Sequence, residues 1–455
     1  MEGTCPGKEF NMIEFKLDFK ETVGEIKPMN AVNNGPVGDN IRSDSSNFDA
    51  YRALRIPYAR NHDASHCSSY GGEHIVDVHR IFRNFDADEC DPASYLFEPT
   101  DAYIKNTLDA GTETFYRLGS SIEHWYKFGT RAPKDFLKWA RICEHIIRHY
   151  NEGWANGFEY GIEYWEIWNE ADCRNPDGTN PCWQGTDEEF LEFYAVVAKH
   201  LKANFPSLKI GGPAFCTPWS TPFRDGFLDM IARDNIPFDF YSYHWYGCKL
   251  EKLAQTINYA RAELDKRGLV GVPTILNEWN YIKAWRDEEY AYSMKTLKAL
   301  KGASFVAGAM CVGQALPLDM LMYYDARPCA FNGMFSMNGY KPLKTYYVFN
   351  TFADLKELGN CVKCNYSEDD VYILAATNGE EGAIMLTHYQ DVDTAEPKAV
   401  KLDLDGLSDF TAEIYVTDEE NNMSLFAKQT FNGADPELYL NIKLHSVVYV
   451  KLVKN

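Results

Sequence analysis

Two glutamates that follow apolar, strand-like runs are the residues of this sequence best suited to chemistry. The run EYWEIW leads to Asn169 and Glu170, and the run VPTIL leads to Asn277 and Glu278. If both runs are strands of a parallel barrel, their carboxyl ends meet at one face. Glycoside hydrolysis requires two carboxyls in one pocket, because one protonates the leaving oxygen while the other attacks or activates water. Either glutamate alone could be a buried carboxylate paired with Arg or Lys, but the pair favours catalysis.

The residues around the two glutamates predict unlike environments for their carboxyl groups. Asn169 could hydrogen-bond a sugar hydroxyl, while the aromatic neighbours desolvate Glu170 and raise its pKa. A raised pKa suits a proton donor, and Glu278 would then remain ionised.

A third strand-like run, FDFYSYHWYG, lies between the two glutamates in the sequence and ends with His244, Trp245 and Tyr246. Residues two apart on a strand share a face, so His244 and Tyr246 can both point to the barrel mouth. A Tyr hydroxyl near Glu278 could hold that carboxylate and release it as a nucleophile. A lone His and Tyr on a strand are more often core residues, but the position between the glutamates favours the site.

Other candidates have structural alternatives that are equally strong. In RNHDASH, residues 60–66, His62 or Asp63 could bind a hydroxyl at the nonreducing end of a sugar, or be ordinary loop residues. Arg117 could orient a carboxylate or form a structural ion pair. Three tryptophans are candidates for stacking on apolar sugar faces, with core packing as the alternative for each: Trp279, Trp245 and Trp183.

The elements that would position these residues alternate between short β-rich runs and longer segments of helical period. From about residue 30 to residue 346 the runs ALRIPYA, ETFYRLG, IEYWEIW, LKIGGPAF, FDFYSYHWY, VPTILNEW and GAMCVGQAL are separated by segments such as EEFLEFYAVVAKHLKANF. Strands that are apolar on both faces indicate a parallel sheet. About eight such units predict an α/β fold closed into a (β/α)8 TIM barrel. No phosphate-binding glycine motif follows an early strand, which disfavours an open nucleotide-binding sheet.

After about residue 354 the pattern changes to alternating strands without long helices, which predicts a small antiparallel β-sandwich. The segment FNMIEFKLDF, residues 10–19, also alternates and could join that sandwich. The predicted organisation is therefore an N-terminal strand region at 1–20, a catalytic barrel at 21–350 and a C-terminal sandwich at 351–455.

Composition limits the partners and the compartment. The 66 acidic and 45 basic residues give a formal net charge of -21, which repels nucleic acid and anionic membrane surfaces. The first twenty residues show no secretory pattern, and the apolar stretch 302–322 is interrupted by polar residues and proline, which favours a buried barrel strand and loop over a membrane span. Twelve scattered cysteines indicate reduced thiols in a cytoplasm. The pair Cys361 and Cys364 lacks the partners of a zinc site.

The motifs together resemble glycoside hydrolase family 39, the β-xylosidase and α-L-iduronidase family of clan A. The likeness is carried by NAVNNGP at 30–36, WEIWNEAD at 165–172, IGGPAF at 210–215, HWY at 244–246 and LNEWN at 276–280. The resemblance implies that Glu170 is the general acid/base and Glu278 the nucleophile of a retaining double displacement, with the carboxyls about 5 Å apart. It also matches Asn169, His244 and Tyr246 to positions that hold the sugar and the nucleophile. The family's barrel carries a β-sandwich built partly from the N-terminal segment.

The sequence thus predicts a retaining, β-xylosidase-like glycosidase that acts on the ends of short oligosaccharides without a metal or redox cofactor. Its expected partner is an oligosaccharide or glycoside, with homo-oligomerisation as an option. The alternatives are α-L-iduronidase-like or arabinosidase-like specificity, or a noncatalytic carbohydrate-binding protein. An iduronidase needs cations for the uronate, for which Arg174 and Arg327 are the candidates. Specificity would depend on two regions that depart from familiar β-xylosidases, residues 173–185 and 321–335.

Overall fold

The computed structural model describes residues 12–38, 46–64, 74–122, 129–434 and 436–455. Two short strands, β1 (Ile13–Asp18) and β2 (Thr22–Glu25), precede a closed barrel of eight parallel strands. The barrel order is β10-β3-β4-β5-β6-β7-β8-β9, so neighbours in the sequence are neighbours in space. Its strands are β3 (Ala31–Asn33), β4 (Tyr58–Arg60), β5 (Glu113–Leu118), β6 (Tyr164–Ile167), β7 (Lys209–Phe215), β8 (Tyr241–Gly247), β9 (Thr274–Tyr281) and β10 (Met320–Tyr323).

Helices surround the barrel because each has one apolar stripe to bury against the strands. Helix α5 shows how the sequence determines where one of these helices begins and which face it buries. Thr186 and Glu189 form a reciprocal capping box at its start, and its apolar residues at three- and four-residue spacing, such as Phe190, Tyr194 and Leu201, are buried. The helices are α1 (Phe48–Arg52), α2 (Val78–Ile81), α3 (Glu98–Asp109), α4 (Phe136–Asn151), α5 (Asp187–Asn204), α6 (Pro222–Asp234), α7 (Leu250–Asp265), α8 (Asp287–Thr296), α9 (Leu300–Ala315) and α10 (Lys344–Leu358).

The prediction that the apolar stretch 302–322 is a barrel strand and its loop was wrong. Residues Leu300–Ala315 form helix α9, and the eighth barrel strand is the short β10 that follows. Helix α9 is buried at every position from Leu300 to Gln314, because it packs against the barrel on one side and the sandwich on the other. A helix buried all round has no polar face, so periodicity cannot distinguish it from a strand. Within the described residues, no helix has the length and apolar character needed to span a membrane.

Two sheets form the accessory unit, which confirms the predicted sandwich. The smaller has the order β1-β15-β18 and the larger the order β17-β16-β19-β14-β13-β11-β2, with β12 paired to β13. The strands are β11 (Asn360–Val362), β12 (Ser367–Glu368), β13 (Val371–Thr377), β14 (Gly382–His388), β15 (Lys398–Asp405), β16 (Ser408–Thr417), β17 (Ser424–Ala434), β18 (Glu437–Ile442) and β19 (Val447–Lys454).

The N-terminal segment takes part in both sheets. Strand β1 pairs parallel to β15, with Ile13 opposite Val400, and its Ile13, Phe15 and Leu17 are buried. Strand β2 pairs antiparallel to β11, so the sandwich pairing continues to Glu25, beyond the boundary at residue 20 expected from the sequence. Residues 1–11 of the predicted N-terminal region lie outside the described residues, as do Ser65 and His66 of the RNHDASH motif.

The sandwich and the barrel share one hydrophobic core. Strands β13 and β14 are buried at every position, which means that both of their faces are covered. Alternate residues such as Tyr372 and Met385 belong to the core of the barrel and its helices, while Ile373 and Ile384 belong to the core between the two sheets. The sandwich therefore supports helices α9 and α10, which lie against the barrel.

Candidate active site

The predicted site residues converge at the carboxyl ends of the barrel strands. Glu278 lies in β9, His244 and Tyr246 lie in the neighbouring β8, and Glu170 follows the end of β6. One carboxylate oxygen of Glu170, one of Glu278 and a ring nitrogen of His244 all lie within 4.8 Å of one another. The glutamate side chains are 18% and 10% exposed, so both carboxyls are largely removed from water but reachable from the barrel mouth.

Glu278 is held by donors on both of its oxygens. The Tyr246 hydroxyl donates a 2.5 Å hydrogen bond to Oε1, and Arg60 Nη1 donates a 3.4 Å bond to Oε2. Nε2 of His244 and Nε2 of His62 lie 3.6 Å and 3.9 Å from Oε2. Hydrogen bonds to an ionised carboxylate are the strong kind, so this setting favours a charged, fixed side chain.

Glu170 occupies a different environment. A 2.8 Å hydrogen bond joins its Oε1 to His244 Nδ1, and Cys182 Sγ lies 3.9 Å from its Oε2. Its backbone has φ of +48°, a left-handed conformation that is uncommon outside glycine, and Trp168 two residues earlier has φ of +75°. Backbone strain of this kind is concentrated at functional sites, where surrounding structure holds it. Here the Glu170 N–H donates to the Ala214 carbonyl at 2.9 Å.

Burial shifts the pKa of both carboxyls upward but not equally. Burial, with the nearby Cys173 and Asp172, raises the pKa of Glu170 to about 8. Burial, with the nearby Glu170, also raises the pKa of Glu278, but His244, Arg60 and the Tyr246 hydroxyl oppose it and leave the value at about 7. Burial lowers the pKa of His244, which keeps the bridging imidazole neutral near neutral pH. Glu278 therefore ionises before Glu170, the order required of a nucleophile beside a proton donor.

Arg60 is a site residue that the sequence reasoning missed. Its fully buried guanidinium donates to Glu166 at 2.7 Å and to Asn169 Oδ1 at 2.6 Å, in addition to its contact with Glu278. Asn277 and Ser242 also donate to Glu166, each at 2.5 Å. A planar guanidinium can serve several acceptors at once, so Arg60 fixes Asn169 and Glu278 in one frame. The available signal was an arginine that ends strand β4, two residues before the nominated His62.

His62 and Asp63 both lie at the site. Asp63 accepts a 2.9 Å hydrogen bond from the Tyr324 hydroxyl, and its carbonyl accepts one from Arg327. Burial opposes ionisation of Asp63, but His62, His74 and Arg327 outweigh it and hold the pKa below its usual range. A charged carboxylate therefore lies 3.5 Å from His62 Nε2, the atom that also faces Glu278, and Tyr324 and Arg327 of the region 321–335 contact Asp63.

The structure does not support a stacking role for two of the tryptophans. Trp279 is 0% exposed and packs against Phe305 and Tyr323, because successive residues of a strand face opposite sides and Glu278 points inward. Trp183 is equally buried, against Trp168. Trp245 is 8% exposed, with its ring 6.2 Å from that of Phe305. The sequence reasoning had no signal for Trp285, which is 55% exposed with its ring 4.9 Å from that of Tyr246.

Arg117 is engaged in an ion pair. Its Nη2 lies 2.6 Å from Asp77 Oδ1, and both side chains are fully buried. Asp77 also accepts hydrogen bonds from the Ser121 backbone and hydroxyl. The contacts of Arg117 are therefore those of a structural ion pair, the alternative to a role in orienting a carboxylate.

Comparison with known proteins yields one family and a shared fold. The sequence profile of Glycosyl hydrolases family 39 matches residues 70–424. A β-xylosidase from Caldicellulosiruptor saccharolyticus is 27% identical over 233 residues, 46% of this chain and 45% of that protein. An α-L-iduronidase from Homo sapiens is 29% identical over 172 residues, 34% of this chain and 24% of that protein. The matched regions thus span less than half of these relatives. A glucosidase structure from Croceicoccus marinus superposes with a TM-score of 0.77 at 20% identity, covering 98% of this chain and 99% of the other.

Proposed function

The chain belongs to glycosyl hydrolase family 39, and from that membership we propose that it is a retaining glycosidase with Glu278 as nucleophile and Glu170 as acid/base. The observation that carries the proposal is the separation of the two carboxylates, whose nearest oxygens lie within 4.8 Å. Retaining enzymes place their carboxyls about 5 to 5.5 Å apart, whereas inverting enzymes need about 6.5 to 9.5 Å to admit a water.

In the first step, Glu278 attacks the anomeric carbon and forms a glycosyl ester while the glycosidic bond breaks. Glu170 transfers its proton to the departing oxygen, which its pKa of about 8 allows at neutral pH. In the second step the Glu170 carboxylate takes a proton from water, the water oxygen attacks the anomeric carbon, and Glu278 leaves as a carboxylate. Tyr246 and Arg60 stabilise the charge on Glu278 before attack and after release.

The glycone is a neutral sugar held by its hydroxyl groups, as in a β-xyloside. His62 Nε2 lies 3.9 Å from Glu278 Oε2 and 3.5 Å from Asp63 Oδ1, so these side chains are available to a sugar bound at Glu278. Arg60 donates to Asn169 Oδ1, which leaves the amide N–H groups of Asn169 for a sugar hydroxyl. The two arginines considered for binding a uronate already have acidic partners in the protein. Arg327 pairs with Asp325 at 3.1 Å, and Arg174 pairs with Asp187. The charged Asp63 also repels a second carboxylate, which disfavours iduronide.

The proposed enzyme acts on the ends of short oligosaccharides. Trp285, which lies near Tyr246, provides an aromatic surface on which a sugar can stack. A noncatalytic carbohydrate-binding protein is the competing function from another class. The presence of both glutamates, their spacing and the donors around Glu278 favour turnover over binding alone.

The test is a panel of aryl glycosides comprising β-xyloside, β-glucoside, β-galactoside, α-L-arabinofuranoside and α-L-iduronide. The enzyme should turn over a neutral member, and the isosteric changes Glu278→Gln and Glu170→Gln should each remove most of that turnover. Glu188→Gln, an exposed glutamate on α5, is the matched control and should behave as wild type. The product anomer, observed by proton NMR before mutarotation, should have the configuration of the substrate. Inverted product, or wild-type turnover by Glu278→Gln, would contradict the mechanism.

A further inference from the structure

Three cysteines from separate parts of the chain surround the Glu170 carboxyl. Cys173 lies three residues after Glu170, Cys182 lies further along the loop before α5, and Cys216 directly follows β7. Nothing in the proposed hydrolysis uses a thiol. Three thiols in contact with one carboxylate form a set of donor atoms that thiophilic metal ions bind.

The donor atoms of this cluster are mutually close. The Sγ atoms of Cys173 and Cys182 and one oxygen of Glu170 all lie within 4.8 Å of one another, with Cys182 Sγ 3.9 Å from Glu170 Oε2. Cys216 interacts with both Cys173 and Glu170, but it lies outside that group of three mutually close donors. A tetrahedral zinc ion with bonds of about 2.3 Å to sulfur and about 2.0 Å to oxygen places its ligand atoms about 3.5 to 3.8 Å apart. The donor atoms of Cys173, Cys182 and Glu170 are therefore within a small contraction of that geometry, and Cys216 must move towards them to supply the fourth ligand.

The surroundings leave the Oε2 atom of Glu170 available to a metal ion. His244 bonds the other oxygen, Oε1, so the two sides of the carboxyl have different neighbours. Cys182 is 1% exposed, whereas Cys173 and Cys216 are only half-buried, which gives an ion a route to the cluster.

We propose that Cys173, Cys182, Cys216 and the Glu170 carboxylate form a binding site for a thiophilic divalent cation such as Zn²⁺. The thiols bind as thiolates and release their protons to solvent, as in other zinc–thiolate sites. The cation is not part of the hydrolysis. If Glu170 is the acid/base of the proposed function, the bound cation occupies the oxygen that must carry the proton, and occupancy inhibits turnover reversibly.

The binding experiment uses the full-length, reduced protein and does not depend on activity. Titration with Co²⁺ should give one equivalent of a complex with thiolate-to-cobalt charge-transfer absorption and tetrahedral d–d bands, and Zn²⁺ should displace it. Each of Cys173→Ser, Cys182→Ser and Cys216→Ser should weaken Zn²⁺ binding by about tenfold or more, as loss of one ligand bond does. Cys90→Ser, an exposed thiol elsewhere, is the control and should bind as wild type.

Three results would overturn the site. They are the absence of the charge-transfer band in folded, reduced protein, unchanged Zn²⁺ affinity in the triple Ser variant, and a stable disulfide among the three cysteines with no metal binding after reduction. Each variant is checked for folding by circular dichroism, and Glu170→Gln provides a second, isosteric variant that keeps all three thiols.

The activity experiment separates the site from the proposed function. Zn²⁺ should inhibit aryl glycoside turnover, EDTA should restore it, and the triple Ser variant should lose this sensitivity relative to its own metal-free rate. If Co²⁺ binds with the expected spectrum while the loaded protein turns over substrate at the metal-free rate, the inhibitory part of the inference is wrong. The acid/base role of Glu170 is decided separately, by the turnover of Glu170→Gln without metal.

Discussion

Glu170 and Glu278 share one pocket, and at the scale of single residues the difference between them comes from their partners. Burial raises the pKa of both, but among the described contacts only Glu278 accepts hydrogen bonds from Arg60 and the Tyr246 hydroxyl. Two titrating groups this close are coupled, so the apparent pKa values of a rate profile belong to the pair.

The pH dependence of kcat/KM follows from the order of the two ionisations. Activity requires Glu278 without its proton, so kcat/KM should rise with pH through about 7. It requires Glu170 with its proton, so kcat/KM should fall as pH rises through about 8. The expected profile is a narrow bell with its maximum between these values, measured with an aryl glycoside in buffers of constant ionic strength. A profile that stays flat from pH 5 to above pH 9 would contradict these assignments.

Removing the Tyr246 hydroxyl should change activity by raising the pKa of Glu278. In Tyr246→Phe the carboxylate loses a hydrogen bond that lowers its pKa, so the acid limb of the bell should move to higher pH. A hydrogen bond to a charged group contributes about 1.5 to 3 kcal/mol, which corresponds to a loss of about 10- to 100-fold in kcat/KM. Tyr439→Phe is the matched control, because that hydroxyl donates to Glu437 on the sandwich surface. An unshifted acid limb in Tyr246→Phe would contradict the prediction that the Tyr246 hydroxyl lowers the pKa of Glu278.

The sequence was sufficient to predict that Glu170, Glu278, His244 and Tyr246 meet, because each ends an apolar strand and parallel strands end at one face. The buried position of Trp279 could also have been predicted, since strand alternation places its side chain on the opposite face from Glu278. The contacts of Arg60 and the cysteine cluster could not be predicted. They join residues far apart in the chain, such as Arg60 with Glu166 and Cys173 with Cys216, and no local period reports such contacts.

At the scale of elements, the barrel strands from β5 to β9 follow directly from their apolar runs, whereas α9 does not. A 16-residue helix covered on all sides has the same composition as a buried strand followed by a loop. Its length and its content of Ala and Gly were the remaining clues, because strands of that length are uncommon. The close packing of α9 explains the glycines.

Gly302 in α9 has no space for a side chain. An added Cβ would lie 2.5 Å from the Thr296 carbonyl oxygen and 2.7 Å from Leu297 Cα, which are backbone atoms that cannot rotate away. Gly302→Ala should therefore destabilise the fold by about 1 to 3 kcal/mol, even though alanine favours helices over glycine by about 1 kcal/mol. Urea unfolding followed by tryptophan fluorescence measures the change. Gly271→Ala, where no atom lies within 4 Å of an added Cβ, should be neutral or slightly stabilising. Equal stability of the two variants would contradict this packing.

At the scale of the whole molecule, the sandwich is part of the support for the barrel. Lys301 of α9 lies 2.9 Å from Asp391, which belongs to the segment after β14, and Asp391 also accepts a 2.7 Å hydrogen bond from Tyr281 at the end of β9. The Lys301 and Asp391 side chains are 8% and 9% exposed. The buried Lys301–Asp391 ion pair therefore joins the sandwich to α9, and the Tyr281 hydrogen bond joins the same Asp391 to the barrel strand that carries Glu278.

Lys301→Met should weaken this junction because it removes the cation nearest to the buried Asp391 carboxylate and leaves Lys283 at 3.8 Å. Breaking a buried pair on one side costs about 3 kcal/mol. The free energy of urea unfolding should fall accordingly, and the loss should shrink in Lys301→Met combined with Asp391→Asn. Lys105→Met, which removes an exposed pair with Asp109 on α3, is the control and should leave the unfolding midpoint unchanged. If Lys301→Met matched that control, the junction would contribute nothing to stability.

The most direct consequence of the proposed mechanism is a covalent bond between the sugar and Glu278. An activated 2-deoxy-2-fluoro glycoside of the preferred glycone slows both steps by destabilising the oxocarbenium-like transition state, and the good leaving group lets the intermediate accumulate. Intact-mass measurement should show one added glycosyl group, and peptide mapping should place it on Glu278. A label on another carboxylate, or no label in an enzyme that turns over the parent glycoside, would contradict the assignment of Glu278 as the nucleophile.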